Sequence, residues 1–258
     1  LTIMQKTING ASFRKMVLAG VSLLEQNKEY IDSLNVFPVP DGDTGTNMFL
    51  TMKSAMTEIN KCMNNDISSL SEAFSKGALR GARGNSGVIT SQIFKGFCSV
   101  TSGCKEITTK DFAKAMQEGA TIAYKAVTKP KEGTILTVIR VMAENAVSLA
   151  KKHEDFEVFL KKVIDTGEEI LKQTPEMLPV LKKAGVVYSG GRGILVIFTG
   201  FYRYIMGDED LEITFEDDKQ PQSLDDVIAD INNLGDIEFG YCTEYMIIHM
   251  HKKTTEAD

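Results

Sequence analysis

Cysteine, histidine and tryptophan are scarce: the 258 residues include four cysteines, three histidines and no tryptophan. The cysteines are Cys62, Cys98, Cys104 and Cys242, far apart and without a C-x-x-C pair. This spacing argues against a disulfide framework, and we expect reduced, mostly packed thiols. His249 and His251 would share one face of a strand from which Cys242 points away, so we expect an ordinary strand there rather than a zinc site.

Long apolar runs and an excess of positive charge are also absent. No run approaches the roughly 18–20 apolar residues that a membrane-spanning helix needs, and no secretory signal opens the chain, so we expect a cytoplasmic location without a membrane span. The chain has 29 Lys and Arg against 35 Asp and Glu, a net charge of -6. Nucleic acid is not an expected partner, because neutralising its phosphates requires clustered basic residues.

Helical spacing of apolar residues dominates the sequence and predicts an all-α fold, a bundle of about eight helices. The helices are expected at 12–32, 46–62, 69–80, 86–99, 109–127, 134–153, 155–173 and 190–206. Ser68 or Ser69 is expected to begin the third helix, with Glu72 completing a capping box, and Asp155 is expected to cap the seventh.

The C-terminal part of the chain has a different pattern. Strand-like stretches near 211–215 and 239–250 flank the polar segment 216–223, whose composition is typical of a linker. We therefore expect a helical domain over 1–210, followed over 211–258 by a linker and the beginning of a second, β-containing domain.

The segment around Asp41-Gly42-Asp43 is the most informative part of the sequence. Two carboxylates one residue apart suit a hard cation such as Mg²⁺, which prefers oxygen ligands and leaves positions for phosphate oxygens. Gly45 lets the backbone approach a ligand closely. A helix begins directly afterwards, and its first N–H groups, near Thr46 and Asn47, suit a phosphate.

Three alternative structures for this acidic segment fit its residues to different degrees. A calcium EF-hand loop is excluded because position 12 would be Met52 rather than Glu. A phosphatase-type nucleophile is disfavoured because the residues before Asp41 are Pro-Val-Pro, which cannot form a central strand. A plain turn without a ligand remains as the alternative.

Glycine-rich segments at 81–87 and 189–193 each precede an apolar helix. Neither is a Walker loop or a G-x-G-x-x-G fingerprint, but both could offer backbone N–H groups to a phosphate. The alternative is a close helix crossing, with Ser86 as a cap. Arg83 and Arg192 could balance phosphate charge, or they could be surface or structural arginines.

Three motifs together resemble the nucleotide-binding domain shared by the L subunit of dihydroxyacetone kinase and the fatty acid kinase A subunit, the DAK2 domain. They are LNVFPVPDGDTGTNM at 34–48, GARGNSGVITSQIFKGF at 81–97 and AGVVYSGGRGIL at 184–195. The segment FGYCTEYMI at 239–247 is similar to the start of the middle domain of the fatty acid kinase subunit. The resemblance covers nearly the whole chain.

The resemblance implies a barrel of eight antiparallel helices that binds ATP or ADP with two Mg²⁺ ions. It places the metal ligands at Asn35, Asp41 and Asp43, where Asn35 replaces the first of three aspartates. With the glycine-rich segments, the expected nucleotide-binding residues are Thr44, Gly45, Thr46, Asn47, Gly84, Asn85, Ser86, Gly87, Ile135 and Gly190. Ile135 is expected against the base. Tyr188 stands where the family usually has Asp, so it either stacks or fills space.

The activity implied by the resemblance is phosphoryl transfer to a fatty acid carboxylate that a DegV-type carrier protein presents, with an acyl phosphate as product. A carboxylate nucleophile is already ionised at neutral pH, so we expect no catalytic acid or base. A homodimer is a further expectation. Two alternatives stay open: a nucleotide-dependent regulatory module without catalysis, and a dihydroxyacetone (glycerone) kinase subunit.

Overall fold

The computed structural model describes residues 5–208 and shows an all-helical fold. The helices are α1 (Gly10–Ser33), α2 (Thr44–Lys61), α3 (Ile67–Gly81), α4 (Gly84–Thr101), α5 (Thr109–Ala126), α6 (Ile135–Leu149), α7 (Phe156–Met177), α8 (Pro179–Ala184) and α9 (Ser189–Met206). All eight helices predicted from apolar spacing are present, and the predicted fold class is confirmed.

The eight long helices form a closed ring around one core. Each packs against its neighbours in sequence, α9 packs along α1 to close the ring, and the short α8 lies against α7. Short connections between consecutive helices favour antiparallel neighbours. Aromatic rings fill the interior: Phe94 stacks on Phe74 with centroids 4.9 Å apart, and Phe112 meets Phe97 edge-on at 5.0 Å. Burial of each such ring stabilises the fold by about 1.5–3 kcal/mol.

Side-chain caps fix where several helices begin. Asp66 is the N-cap of α3, and its carboxylate accepts the N–H of Ser69 at 2.8 Å. The helix therefore starts before the predicted caps Ser68 and Ser69. The prediction for α7 is confirmed, because Asp155 is its N-cap and accepts a hydrogen bond from the N–H of Glu157 at 3.2 Å.

Three helical segments differ clearly from the prediction, and one of them is α7, predicted over 155–173, which continues to Met177. The six-residue α8 was not predicted; Pro179 opens it, and Gly185 ends it with a φ of 68°. The helix predicted over 134–153 ends at Leu149. The residues that follow form a turn, in which the carbonyl of His153 accepts a hydrogen bond from the Thr109 hydroxyl at 2.9 Å.

A short antiparallel pair, β1 (Thr7–Ile8) and β2 (Ile107–Thr108), was also not predicted, since two residues are too few to show alternation. Across residues 5–208, no helix has both the length and the apolar character needed to cross a membrane. The predicted strands near 211–215 and 239–250, the linker and the segment containing Cys242 lie outside the described residues.

Candidate functional site

The acidic loop between α1 and α2 forms one wall of a cavity of about 460 Å³. Within the loop, Nδ2 of Asn35 donates a hydrogen bond to Oδ1 of Asp41 at 2.6 Å. Asn35 is only 2% exposed, whereas Asp41 is open to solvent. A buried amide therefore anchors the exposed carboxylate, and the amide oxygen is the Asn35 atom left to meet a cation.

Asp43 lies next to Asp41 in an electrostatically unfavourable position. Burial raises the pKa of Asp43, a hydrogen bond from Asn47 opposes this, and the neighbouring carboxylates of Asp41 and Asp32 raise the pKa further. Partly buried like charges repel each other, and a divalent cation held by their oxygens would relieve that repulsion. The donor chemistry of this loop therefore fits Mg²⁺.

The first turn of α2 is held by a residue of α1. Oδ1 of Asp32 accepts the N–H of Thr46 at 3.0 Å, and Oδ2 accepts the Thr46 hydroxyl at 2.6 Å. Thr46 was predicted to contact a nucleotide, but the structure directs both of its donors to Asp32. Asn47, also predicted as a contact, is buried, and its side chain lowers the pKa of Asp43.

The start of α4 forms a second wall of the cavity. Gly84 has a φ of 56°, a conformation that side chains rarely adopt, and a Cβ there would collide with the side chain of Asn47. Asn85 and Ser86 follow it at the cavity surface. The Ser86 hydroxyl donates to the carbonyl of Thr44 at 3.3 Å, which ties α4 to α2.

Two predicted glycines have a packing role. A Cβ on Gly45 would collide with the carbonyl of Lys28, and a Cβ on Gly87 would meet the hydroxyl of Thr51. Gly45 thus lets α2 approach α1, and Gly87 lets α4 approach α2. For Gly87 the structure shows the close helix crossing that is the alternative for its segment, and Gly45 has a similar packing role at the crossing of α1 and α2.

The start of α9 forms the third wall. The Ser189 hydroxyl donates to Oγ1 of Thr44 at 3.3 Å, and Gly190 lies against the ring of Tyr188 and the side chain of Ile135. Arg192 does not line the cavity; it is 3% exposed and pairs with Glu168 at 2.6 Å.

Nine of the predicted site residues line the cavity: Asn35, Asp41, Asp43, Thr44, Gly84, Asn85, Ser86, Ile135 and Gly190. Four do not, namely Gly45, Thr46, Asn47 and Gly87, which lie behind the wall and shape it. Arg83, considered for phosphate charge, is exposed and also lies outside the lining.

Sequence patterns did not reveal the loop between α5 and α6, which supplies the positive charge of the cavity. Lys129 and Lys131 line it together with Val127, Thr128 and Thr134. The sequence did contain a pattern that could have indicated this loop. Residues 128–133 include a proline, a glycine and two lysines, and they come shortly before Ile135, the residue expected against the base. The apolar residues Phe37, Val88 and Leu136 also line the cavity and were not predicted.

Glu132 fastens this loop to the barrel. Its Oε2 accepts hydrogen bonds from the Thr137 hydroxyl at 2.7 Å and from Nη2 of Arg140 at 2.9 Å. Its Oε1 accepts the Tyr124 hydroxyl at 3.2 Å. These hydrogen bonds lower the pKa of Glu132, and the bond from Thr137 has the largest effect. The loop that carries the lysines is therefore fixed at its base.

Tyr188 contributes an aromatic ring to the cavity wall. Burial raises the pKa of its phenol to about 12, so the hydroxyl stays protonated at neutral pH. The backbone N–H donates to Oγ1 of Thr174 at 3.1 Å, which holds the residue at the start of α9. Its ring beside Ile135 and Gly190 gives this part of the cavity the character of a site for a flat, apolar group.

The protein donors for a metal are few. Within residues 5–208, no three His, Cys, Asp or Glu side chains are grouped in a way that could hold an ion. Two carboxylates and the oxygen of Asn35 are what the loop offers. Such an incomplete set suits Mg²⁺, which usually keeps waters and binds phosphate oxygens alongside one or two carboxylates.

Comparison with known proteins gives one family and several relatives. The DAK2 domain family matches residues 38–203. Protein YloV of Bacillus subtilis is 46% identical over 250 residues, covering 94% of this chain and 44% of that protein. An uncharacterized protein of Staphylococcus epidermidis is 45% identical over 241 residues, covering 93% and 44%. The chain therefore spans less than half the length of these relatives.

Solved structures share the fold. The crystal structure of the dihydroxyacetone kinase from C. freundii in complex with AMP-PNP and Mg²⁺ has a TM-score of 0.57 at 15% identity and covers 78% of this chain and 35% of that one. The native form of the same kinase has a TM-score of 0.52 at 16% identity and covers 79% and 36%. At such identity the likeness establishes a common architecture.

Proposed function

Because this chain belongs to the DAK2 domain family, we propose that its cavity binds an adenine nucleotide together with Mg²⁺ and that the chain is the nucleotide-binding part of a kinase. The observation that carries the proposal is the pairing of Asp41 with Asp43 at the wall of a cavity of about 460 Å³. That volume lies in the range of small-molecule sites, which run from roughly 300 to 1,000 Å³.

The lining of the cavity divides into polar and apolar parts that suit the two ends of a nucleotide. We assign Asn35, Asp41 and Asp43 to the cation, and the starts of α2 and α4, at Thr44 and at 84–86, to phosphate oxygens. We assign Ile135, Gly190 and the ring of Tyr188 to the base. The crystallised relative bound to AMP-PNP and Mg²⁺ supports the same pairing of ligands.

The kinase chemistry that this site supports best is transfer of the terminal phosphoryl group to a carboxylate. Mg²⁺, when bound, neutralises phosphate charge and aligns the phosphoryl group for in-line attack. A fatty acid carboxylate is ionised at neutral pH and can attack the terminal phosphorus of ATP without a general base, while the bond to the bridging oxygen breaks and ADP leaves. The chain would then need to position the nucleotide and exclude water, and its cavity walls of packed helix ends are suited to both tasks.

The acceptor is proposed to be a fatty acid presented by a DegV-type carrier protein in the cytoplasm, with an acyl phosphate as product. The motif 34–48, in its Asn-Val-Phe-Pro-Val-Pro form, favours this acceptor over dihydroxyacetone. Since the chain covers 44% of YloV, this activity and any dimer are proposed for the full-length protein. We place the end of the nucleotide-binding domain near 210, because α9 ends at Met206 and Gly207 has a φ of 69°.

Calorimetric titration with Mg-ATP and Mg-ADP tests nucleotide binding directly. The double variant Asp41→Ala/Asp43→Ala should lose the binding heat while keeping its far-ultraviolet circular dichroism, because both residues precede α2 and neither side chain caps it. Glu154→Ala/Asp165→Ala removes the same charge from exposed ion pairs and should bind normally. Binding that survives in the first variant would refute the assignment.

Phosphoryl transfer is tested with the full-length protein, ATP and a fatty-acid-loaded carrier, by measuring acyl phosphate. Formation of acyl phosphate supports the kinase proposal. Nucleotide binding without transfer, to this acceptor or to dihydroxyacetone, would instead favour a regulatory module.

A further inference from the structure

Asp43 is the N-cap residue of α2, yet its side chain makes no capping hydrogen bond. The remaining Asp, Asn and Thr residues at N-cap positions in the described chain all have extended backbone and accept a first-turn N–H: Asn9, Asp66, Thr108, Thr134 and Asp155. Asp43 differs from them in its backbone, with a ψ of 3°. Its carboxylate lies at the cavity wall instead.

Asp32 provides the missing cap from a different helix. Its Oδ1 accepts the N–H of Thr46 at 3.0 Å, and its Oδ2 accepts the Thr46 hydroxyl at 2.6 Å. Thr46 is the third residue of α2, the position whose N–H an N-cap side chain usually receives. Because Asp32 already satisfies that N–H, α2 does not require the Asp43 carboxylate.

We propose that Asp32 is a positioning residue: by capping α2 in place of Asp43, it leaves the Asp43 carboxylate available to a divalent cation. The cation part of this inference rests on the proposed function. Asp32 acts through Asp43 and Thr46, since both of its oxygens are engaged by Thr46. The arrangement separates two tasks, capping and cation binding, that would otherwise compete for one carboxylate.

Loss of Asp32 should therefore turn Asp43 into a cap. In Asp32→Ala, cation binding must break the new cap, and affinity should fall by about three- to tenfold, the equilibrium factor that corresponds to one N-cap hydrogen bond. Asp32→Asn keeps an acceptor for the Thr46 N–H while it removes the charge. Its cation affinity should stay within about twofold of the wild type.

A double-mutant cycle on the cation-free protein measures whether Asp43 caps α2 when Asp32 is lost. Asp43→Ala should barely lower the urea midpoint in the wild-type background and should lower it clearly in the Asp32→Ala background, where Asp43 now caps. In the Asp32→Asn background, its effect should match the wild type. An equal effect in all three backgrounds would overturn the inference. So would an Asp32→Asn background that behaves like Asp32→Ala, because that result assigns the coupling to charge repulsion alone.

The second test measures how available the Asp43 carboxylate is to a cation. Mn²⁺ is titrated into each variant, and electron paramagnetic resonance of the free ion gives the affinity. The expected order of affinity is wild type, then Asp32→Asn close behind, then Asp32→Ala. Equal affinity of wild type and Asp32→Ala would overturn the inference, as would equal weakening in both variants. Failure of the wild type to bind Mn²⁺ would refute the proposed function and the cation part of the inference, whereas the urea cycle would still report whether Asp32 replaces Asp43 as the cap.

Discussion

The Nζ atom of Lys131 lies over the ring of Phe37, 5.2 Å from the ring centroid. The contact joins the loop before α6 to the acidic loop, and both residues line the cavity. A cation on an aromatic face at an exposed site gains about 0.5–1 kcal/mol. The pair therefore holds a positive charge at the edge of a cavity that also carries Asp41 and Asp43, where nucleotide phosphates are proposed to bind.

Lys131→Gln is expected to weaken Mg-ATP binding by about two- to fivefold, the range for one partly exposed charge contact. The loss should shrink in high salt, because added ions screen the interaction. Calorimetry at two salt concentrations measures both effects. Arg83→Gln is the matched control: it removes the same charge at an exposed site outside the cavity and should bind as the wild type does. If both variants lost the same Mg-ATP affinity, the net charge of the protein, and not the position of Lys131, would explain the effect.

Asn35→Ala is expected to weaken Mg²⁺-dependent nucleotide binding by about tenfold or more. The substitution deletes the 2.6 Å hydrogen bond that anchors Asp41, and bonds to charged groups are worth about 1.5–3 kcal/mol. It also removes the amide oxygen assigned to the cation. Titration of Mg-ADP into the variant measures the loss.

Asn27→Ala provides the control for Asn35→Ala. Asn27 is also buried, and its Nδ2 donates to the carbonyl of Leu23 at 2.7 Å, outside the cavity lining. Both variants should lose about 0.5–1.5 kcal/mol of unfolding free energy, the net contribution of one hydrogen bond, because the Asp41 carboxylate is open to solvent and the Leu23 carbonyl lies within α1. Only the change at Asn35 should alter nucleotide affinity. If Asn27→Ala weakens binding equally, general destabilisation explains both results.

Local sequence patterns were sufficient for most of the fold, and together with the family resemblance they predicted nine of the 22 residues that line the cavity. Apolar spacing predicted eight helices because each long helix buries one continuous face in the ring. Asp41-Gly42-Asp43 and the segment 84–86 could be predicted because the side chains and backbone groups that would bind a ligand come from adjacent residues. The six-residue α8 was missed, since such a short segment shows too little periodicity.

Features that depend on distant residues were not predictable from these patterns. Thr46 was assigned to a phosphate because helix starts expose N–H groups, but Asp32, fourteen positions earlier, takes that N–H in the folded chain. Gly45 and Gly87 were assigned to ligand contact, whereas the helices that cross at these positions require their small size. Lys131 lines the cavity from a loop that contacts Phe37, and these two residues are far apart in the sequence.

Tyr188→Ala is expected to weaken ATP binding by about tenfold, while Tyr188→Phe should bind normally. The ring, rather than the hydroxyl, lies against Gly190 and beside Ile135, and stacking of a base on an aromatic ring is worth about 1–3 kcal/mol. Competition titration of ATP against a fluorescent nucleotide measures the change. Tyr202→Ala, within α9 but outside the cavity lining, should leave affinity unchanged. A defect in Tyr188→Phe would show that the hydroxyl itself binds the ligand.

The carboxylate of Glu132 makes the attachment of the lysine-bearing loop sensitive to pH. Hydrogen bonds from Thr137 and then Arg140 lower the pKa of Glu132, so the folded state favours the ionised form more than the unfolded chain does. The resulting stabilisation is fully present above the unfolded pKa of about 4.3 and is lost as the pH falls through the lower, folded value. Since the side chain is 56% exposed, the effect should stay below about 1 kcal/mol.

Glu132→Gln removes this titration. The wild type should have the higher urea midpoint at a pH of about 7, and the two midpoints should converge as the pH is lowered through the folded pKa of Glu132, because the wild-type carboxyl then becomes protonated and resembles the neutral amide. Glu154→Gln, at a side chain that is 68% exposed and pairs with Lys6 at the surface, should show almost no such difference. A gap between wild type and Glu132→Gln that stays constant with pH would mean that the shape of the side chain, and not its charge, fastens the loop.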